Sequence, residues 1–272
     1  MTGDTCSASP AIDGVGPVTL VAAPQPVVRS LLVRGLLAGL LAGLVGLVVA
    51  TLLGEPQIAQ AIAFEQSHAA GEAEPETFSR TVQATAGLAT GLLLFGLALG
   101  ALFGLTYAYA QGRLGGLGVR ATAALVALAG FVTVVLVPFA KYPANPPSVG
   151  DPATIGRRTG LYFALLALSV ALAVLAAQLG RFLAPRLGAW DASIAAGVAF
   201  IAAIAVVLVF LPAVEEVPAD FPASVLWRFR LASLAVQAAM WATLGLTFGA
   251  LTERSWRGRR AHGLGPTTTP RR

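Results

Sequence analysis

Six apolar stretches, each long enough to cross a lipid bilayer as a helix, constrain this chain more than any other feature. They cover residues 31–53, 86–110, 119–137, 161–183, 193–211 and 231–251. A helix needs about 20 apolar residues to cross a hydrocarbon core about 30 Å thick. Because lipid offers the backbone no hydrogen-bond partners, such runs favour helices. The sequence therefore predicts an all-α integral membrane protein, a polytopic bundle of six transmembrane helices.

The distribution of charge predicts how this bundle is oriented. With six spans, the side that carries both termini has 12 of the 18 Lys and Arg residues, and the opposite side has 6. Basic residues concentrate on the cytoplasmic side of membrane proteins, so both termini are expected in the cytoplasm and the protein in the inner membrane. We predict a disordered arm over residues 1–28, a membrane domain over 29–254 and a basic tail over 255–272. The tail is expected to meet anionic lipids, and the basic excess indicates topology rather than nucleic-acid binding.

A repeated pattern in the predicted outer loops suggests internal repeats. Residues 137–152, "VPFAKYPANPPSVGDP", and the later stretch "LPAVEEVPADFPASVLWRFR" share a Pro-Ala-Asn/Asp core and a following arginine pair. Arg80, Arg158 and Arg230 stand 78 and 72 positions apart at the starts of re-entering helices. This spacing predicts three parallel helical hairpins. The alternative is that any membrane hairpin uses proline to end one helix and arginine to begin the next.

The prolines of these loops predict stiff, pre-ordered connections, because proline fixes its own backbone and restricts the preceding residue. Each outgoing helix is expected to end at a proline. Two roles of these loops remain open. They could form a rigid cap that closes the hairpin, or they could border an outer vestibule that the oxygens of Tyr142, Asn145 and Asp151 face. The predicted loop-shaping residues are Pro138, Tyr142, Pro143, Asn145, Pro146, Pro147, Pro212, Pro218 and Pro222.

Arginines at the starts of these helices break two rules, since they lie on the side poor in positive charge and at the positive end of a helix dipole. We therefore expect carboxylates to compensate them and lock the loops together. The predicted pairing set is Arg157, Arg158, Arg228 and Arg230 with Asp151, Glu215, Glu216 and Asp220.

Metal ligands are sparse. In a helix, Glu65, His68 and Glu72 would share one face, which could bind a divalent ion weakly. A solvated acidic loop is the alternative. The spans contain few polar groups that could line a route, among them Gln83, Gln178 and Gln237.

Glycines four residues apart form two stripes, Gly35–Gly39–Gly43 and Gly96–Gly100–Gly104. Small residues at this spacing let helices approach closely in lipid. The first two spans are expected to pack through them, or one stripe to face a partner helix.

The two proline-rich loops also carry a family resemblance. "PFAKYPANPPSVGDPATIGRRTGLY", followed by "LPAVEEVPADFPASVLWRFRLASLAVQAAMW", resembles the CbtA family of predicted cobalt transporter subunits, and the likeness extends over residues 33–252. The resemblance implies a membrane subunit that takes up Co²⁺ for cobalamin synthesis, with no tightly bound cofactor. It also implies a partner, CbtB, a small one-span protein with a His-rich end.

The sequence leaves one other function open and argues against another. A non-transporting scaffold that stabilises another permease is the alternative. An intramembrane enzyme is not expected, because the spans carry no P-loop, no His-Glu-x-x-His and no Ser/His/Asp arrangement.

Overall fold

The fold is described from a computed structural model, and its ordered elements are helices. The structure describes residues 25–68, 79–114, 116–147, 149–150, 152–214 and 216–261. Over these residues it contains helices and loops and no strand, which confirms the all-α class. Most of the predicted arm and tail lies outside them.

Eight α-helices follow one another along the described chain. Their bounds are α1 Gln25–Val49, α2 Glu55–His68, α3 Arg80–Val82, α4 Leu88–Ala110, α5 Val119–Gly130, α6 Val137–Lys141, α7 Ile155–Phe210 and α8 Ala223–Ala261. Three π-helical segments, Ala50–Gly54, Gln83–Gly87 and Phe131–Leu136, join α1 to α2, α3 to α4 and α5 to α6. A short 3₁₀ turn, Pro152–Thr154, precedes α7.

Among the described residues, five helical segments are long and apolar enough to cross a membrane, where the sequence predicted six. They are Val28–Ser67, Arg80–Ala110, Val119–Lys141, Ile155–Phe210 and Ala223–Arg257. The predicted fourth and fifth spans both lie in α7. The short link between them is helical on both sides of one break, so the two spans count as one helix. The helix is broken inside that link at Gly188, whose φ of 81° and ψ of 161° are not helical.

The two halves of α7 lie against each other. Leu165 and Ile204 belong to one buried cluster with Val137 of α6. In a straight helix, 39 residues would separate them by roughly 58 Å. A Cβ placed on Gly180 would also touch the Ala196 side chain at 3.3 Å. The chain therefore reverses direction near Gly188.

The glycine stripes form the contact between α1 and α4, as predicted. A Cβ on Gly39 would lie 2.9 Å from Gly100 Cα, and one on Gly100 would lie 2.8 Å from Gly39 Cα. Only glycine allows the two backbones to approach this closely.

Helix α8 packs against α1 and α5 and forms the core of the bundle. Met240, Leu244 and Phe248 of α8 are fully buried. The Phe248 ring packs against the rings of Phe103 and Tyr107 of α4, with centroids 5.1 and 4.8 Å away. This dense cluster begins near the middle of α8 and continues towards its C-terminus.

The packing does not confirm the predicted three-hairpin repeat. The third hairpin would pair the second half of α7 with α8. Instead, α8 packs mainly on α1 and α5, whereas α7 packs mainly on α6 and the π segment before it. The similar loop sequences therefore do not correspond to three equivalent helix pairs.

Candidate functional site

Helix α2, the loop before α7 and the segment that leads into α8 meet at one end of the bundle, away from the dense core. Ala61 of α2, Val149 of the loop before α7, and Phe221 and Val225 at the start of α8 form a single buried cluster. Phe64 of α2 adds an edge-to-face contact with the Phe221 ring, with centroids 5.0 Å apart. Segments distant in sequence are thus held together around one entrance.

Polar contacts also join the two proline-rich loops at this end of the bundle. Arg158 Nε lies 3.0 Å from Glu216 Oε2, and their side chains are only 29% and 11% exposed. Glu216 also accepts a hydrogen bond from the Thr154 hydroxyl. The Tyr142 hydroxyl donates to the Pro212 carbonyl at 2.9 Å. Partial burial raises the pKa of Tyr142, with a smaller opposing effect of Arg157, so the phenol stays a donor.

Gly150 provides the space that the Arg158 guanidinium occupies. Its φ is +125°, a conformation that other residues rarely adopt. A Cβ at this position would also meet the Arg158 guanidinium, with Cζ at 2.9 Å. The backbone turn at Gly150 and the ion pair of Arg158 therefore depend on each other.

The other predicted pairing residues occupy different positions. Arg230 Nη2 donates to Asn145 Oδ1 at 2.9 Å, so its partner is an amide rather than one of the predicted acids. Arg157 and Arg228 are exposed, as is Asp220. Asp151 and Glu215 lie outside the described residues. Within the predicted set, Arg158 and Glu216 thus form a pair that joins the two proline-rich loops.

The predicted loop-shaping prolines lie inside a helix, just after a helix or in a loop. The expectation that a helix ends at Pro138 is wrong: Pro138 is buried within α6, which continues to Lys141. The preceding π segment makes this possible, since proline needs no N–H partner near the start of a helical turn. Pro212 follows the end of α7 as expected, and Pro146 is buried in the loop. The remaining loop prolines, partly buried or exposed, are Pro143, Pro147, Pro218 and Pro222.

Beneath the loops lies a cavity of about 1040 Å³. Its wall is mostly apolar, with polar groups from α2, α7, α8 and the loop before α7. These polar residues are Glu55, Tyr142, Asn145, Arg158, Thr159, Tyr162, Arg230, Ser233 and Gln237. Its size and its few convergent polar groups are typical of a binding site for a small molecule.

Two of the π segments line this cavity, through Ala50 and Gly54 of the first and Val134 and Val135 of the third. The second ends directly before Leu88, which also lines it. π-helices are rare, and they occur frequently at functional sites.

A threonine in each π segment donates back to the carbonyl four residues earlier. The bonds are Thr51 to Leu47, Thr85 to Thr81 and Thr133 to Ala129, at 2.6–2.9 Å. These hydroxyls offer each carbonyl a donor at a place where the regular helical pattern is interrupted, a role that Ser and Thr side chains have in membrane helices.

Several wall residues were not among the predicted site residues. Glu55 pairs with Arg80 and lines the cavity. Ser233 was not predicted, but it shares one face of α8 with Arg230, predicted as a pairing residue, and with Gln237, predicted as a residue that could line a route. The three follow an i, i+3, i+7 pattern. That spacing was the signal that could have identified the polar wall.

The predicted metal ligands are only partly described. Glu65 lies on α2 with an exposed side chain, and His68 is the last residue of α2. Glu72 lies outside the described residues. Among the described residues, no three His, Cys, Asp or Glu side chains come together as a metal site.

Comparison with known proteins identifies the family. Residues 28–253 match the family model described as "Probable cobalt transporter subunit (CbtA)", and this match spans the bundle, the loops and the cavity. No curated protein matches the chain. No solved structure matches it either. The resemblance carried by the proline-rich loops is confirmed, and the chain belongs to the CbtA family of probable cobalt transporter subunits.

Proposed function

We propose that the chain is the membrane subunit of an uptake system for a divalent cation, with cobalt as the cargo and cobalamin synthesis as its use. The observation that carries this proposal is the family match over residues 28–253. The large cavity between the loops and the dense core supports it, because transporters place their substrate sites between packed helices near mid-membrane.

We further propose that the chain crosses the inner membrane six times, with both termini in the cytoplasm. The reversal at Gly188 supports separate crossings by the two halves of α7. Six crossings place the loop end, which has fewer basic residues, outside the cytoplasm. The cavity then opens to the exterior, while the packed half of α8 closes the cytoplasmic side.

A partner completes the proposed system. The family description calls its members subunits, which implies a second component. We propose a small one-span protein with a His-rich end, whose imidazoles would collect the metal. The Glu65–His68–Glu72 group would be a weak point of first contact, because α2 belongs to the loop cluster at the entrance.

Radiocobalt uptake tests the proposed function. Cells that lack their own cobalt uptake would express the chain alone, the His-rich partner alone, or both, and would receive nanomolar ⁵⁷Co²⁺. We expect uptake above the empty vector when both proteins are present.

Membrane levels of the chain would be matched between strains by immunoblotting. If uptake stays at the vector level in every strain, the transport function is wrong. The scaffold alternative would then be favoured, and would require that another permease lose stability when this chain is deleted.

A further inference from the structure

The charge of the cavity wall is unusual for a site that receives a metal cation. Its charged side chains are Glu55, Arg158 and Arg230. Glu55 pairs with Arg80, and Arg158 pairs with Glu216. Arg230 donates a hydrogen bond to the neutral amide of Asn145 and forms no ion pair with a described carboxylate. The wall therefore carries one guanidinium charge that no described carboxylate neutralises.

Besides Arg158 Nε, which faces the Glu216 carboxylate, two polar atoms of wall residues are buried without a hydrogen-bond partner in the described part of the chain. They are Nε of Arg230, a donor, and Oε1 of Gln237, an acceptor. Both residues line the cavity, and seven residues of helix separate them by roughly 10 Å. Both atoms have almost no accessible surface, and buried polar atoms are nearly always satisfied, so they require an explanation. A ligand in the cavity towards which these two side chains turn would supply one.

The Arg230 guanidinium and the Gln237 amide oxygen determine which chemical groups a ligand would need. A guanidinium binds carboxylates through paired, charge-assisted hydrogen bonds, and it repels a nearby cation. An amide oxygen without a donor needs a hydroxyl or N–H group. The volume of about 1040 Å³ suits a small organic molecule better than a single ion. Ser233 and Tyr162 offer further hydroxyls on the wall.

We propose that the cavity binds a hydroxylated polycarboxylate, and that cobalt enters it as the anionic chelate of such a ligand. A carboxylate contacts Arg230, and the ligand hydroxyl donates to Gln237. The anion site depends only on the residues of the cavity. That the anion carries cobalt depends also on the proposed transport function.

Calorimetric titration of the purified full-length chain tests the anion site. The probes are citrate, the cobalt–citrate chelate, Co²⁺ alone and tricarballylate, which has the carboxylates of citrate without its hydroxyl. We expect citrate and its chelate to bind, and Arg230→Gln to weaken both by about tenfold or more. Arg113→Gln, at an exposed arginine of the opposite end, should leave both affinities unchanged.

Gln237→Met provides a second test that spares the fold, because the Gln237 Oε1 atom accepts no hydrogen bond from the described chain. Citrate should bind the wild-type chain more tightly than tricarballylate does. This difference should disappear in Gln237→Met. Equal binding of the two anions to the wild-type chain would overturn the role given to Gln237.

Two other binding results would overturn the anion site. One is binding of Co²⁺ alone, with no binding of citrate and no effect of Arg230→Gln. The other is Arg230-dependent binding of inorganic phosphate or of phosphatidylglycerol where citrate fails to bind, which would assign the site to a phosphate or a lipid.

Double-label uptake with ⁵⁷Co and ¹⁴C-citrate separates this inference from the proposed function. Uptake of both labels, reduced by Arg230→Gln, supports the chelate. If ⁵⁷Co enters without ¹⁴C and Arg230→Gln does not change this uptake, the chelate proposal is wrong, whereas cobalt transport is upheld. If neither label enters but citrate still binds through Arg230, the transport proposal fails and the anion site is upheld.

Discussion

Replacing Gly100 with leucine is expected to separate α1 from α4 and to lower the stability of the protein more than any other single change considered for this chain. A side chain at Gly100 would collide with the Gly35 carbonyl and lie 2.8 Å from Gly39 Cα. The obstacle is backbone, which cannot rotate away. Overpacking of this kind costs at least about 1–3 kcal/mol where side chains can adjust, so we expect more than about 3 kcal/mol here.

Thermal unfolding in detergent, followed by loss of the monodisperse peak in size-exclusion chromatography, measures this effect. Gly91→Leu is the matched control, because Gly91 lies on the same helix with nothing within 4 Å of an added Cβ. We expect Gly91→Leu to stay within about 0.5 kcal/mol of the wild type. If the two variants unfold at the same temperature, the close packing of the stripes is wrong.

The second large effect is expected at the ion pair that joins the two proline-rich loops. Arg158→Ala leaves the Glu216 carboxylate, only 11% exposed, with the Thr154 hydroxyl but without its cation. Loss of a partly buried, charge-assisted contact should lower the free energy of unfolding by about 2–3 kcal/mol. Arg113→Ala is the control, because Arg113 is exposed and donates to the Tyr109 carbonyl of its own helix.

A double-mutant cycle distinguishes pairing from a general effect of losing arginine. If the two side chains stabilise each other, Arg158→Ala combined with Glu216→Ala should cost clearly less than the sum of the single changes. Additive losses, or an equal loss for Arg113→Ala, would show that the pair does not hold the loops together.

The sequence predicted the helical class well because apolar runs of membrane length have few other solutions. The glycine stripes likewise predicted the contact between α1 and α4, since their spacing directly encodes close approach. The number of separate helical elements was predicted less well. Gly188 breaks α7 through a backbone conformation, and composition alone does not distinguish a bent helix from two helices joined by a turn.

The candidate site was only partly predictable. From the sequence alone, the loop carboxylates were equally reasonable partners for Arg158 and for Arg230. A sequence gives the sign of each charge but not the direction in which each side chain points. The fold decides that Arg158 reaches Glu216, whereas Arg230 points into the cavity beside Asn145. The π segments were not predicted either, because an isolated threonine in an apolar run does not reveal an interruption of the helix.

Cysteine labelling from the two sides of the membrane tests most directly whether the cavity and its loops face outward on a six-crossing bundle. Single cysteines would replace Ala153, Ala213, Gly116 or Asp191 in a Cys6→Ser background. All four positions are exposed and lie in the loops or at the turn within α7.

Intact spheroplasts would be treated with a membrane-impermeant maleimide. We predict labelling at 153 and 213 in intact spheroplasts, and at 116 and 191 only after permeabilisation. Labelling of position 213 only after permeabilisation would mean that α7 crosses once, and it would contradict the outward-facing cavity.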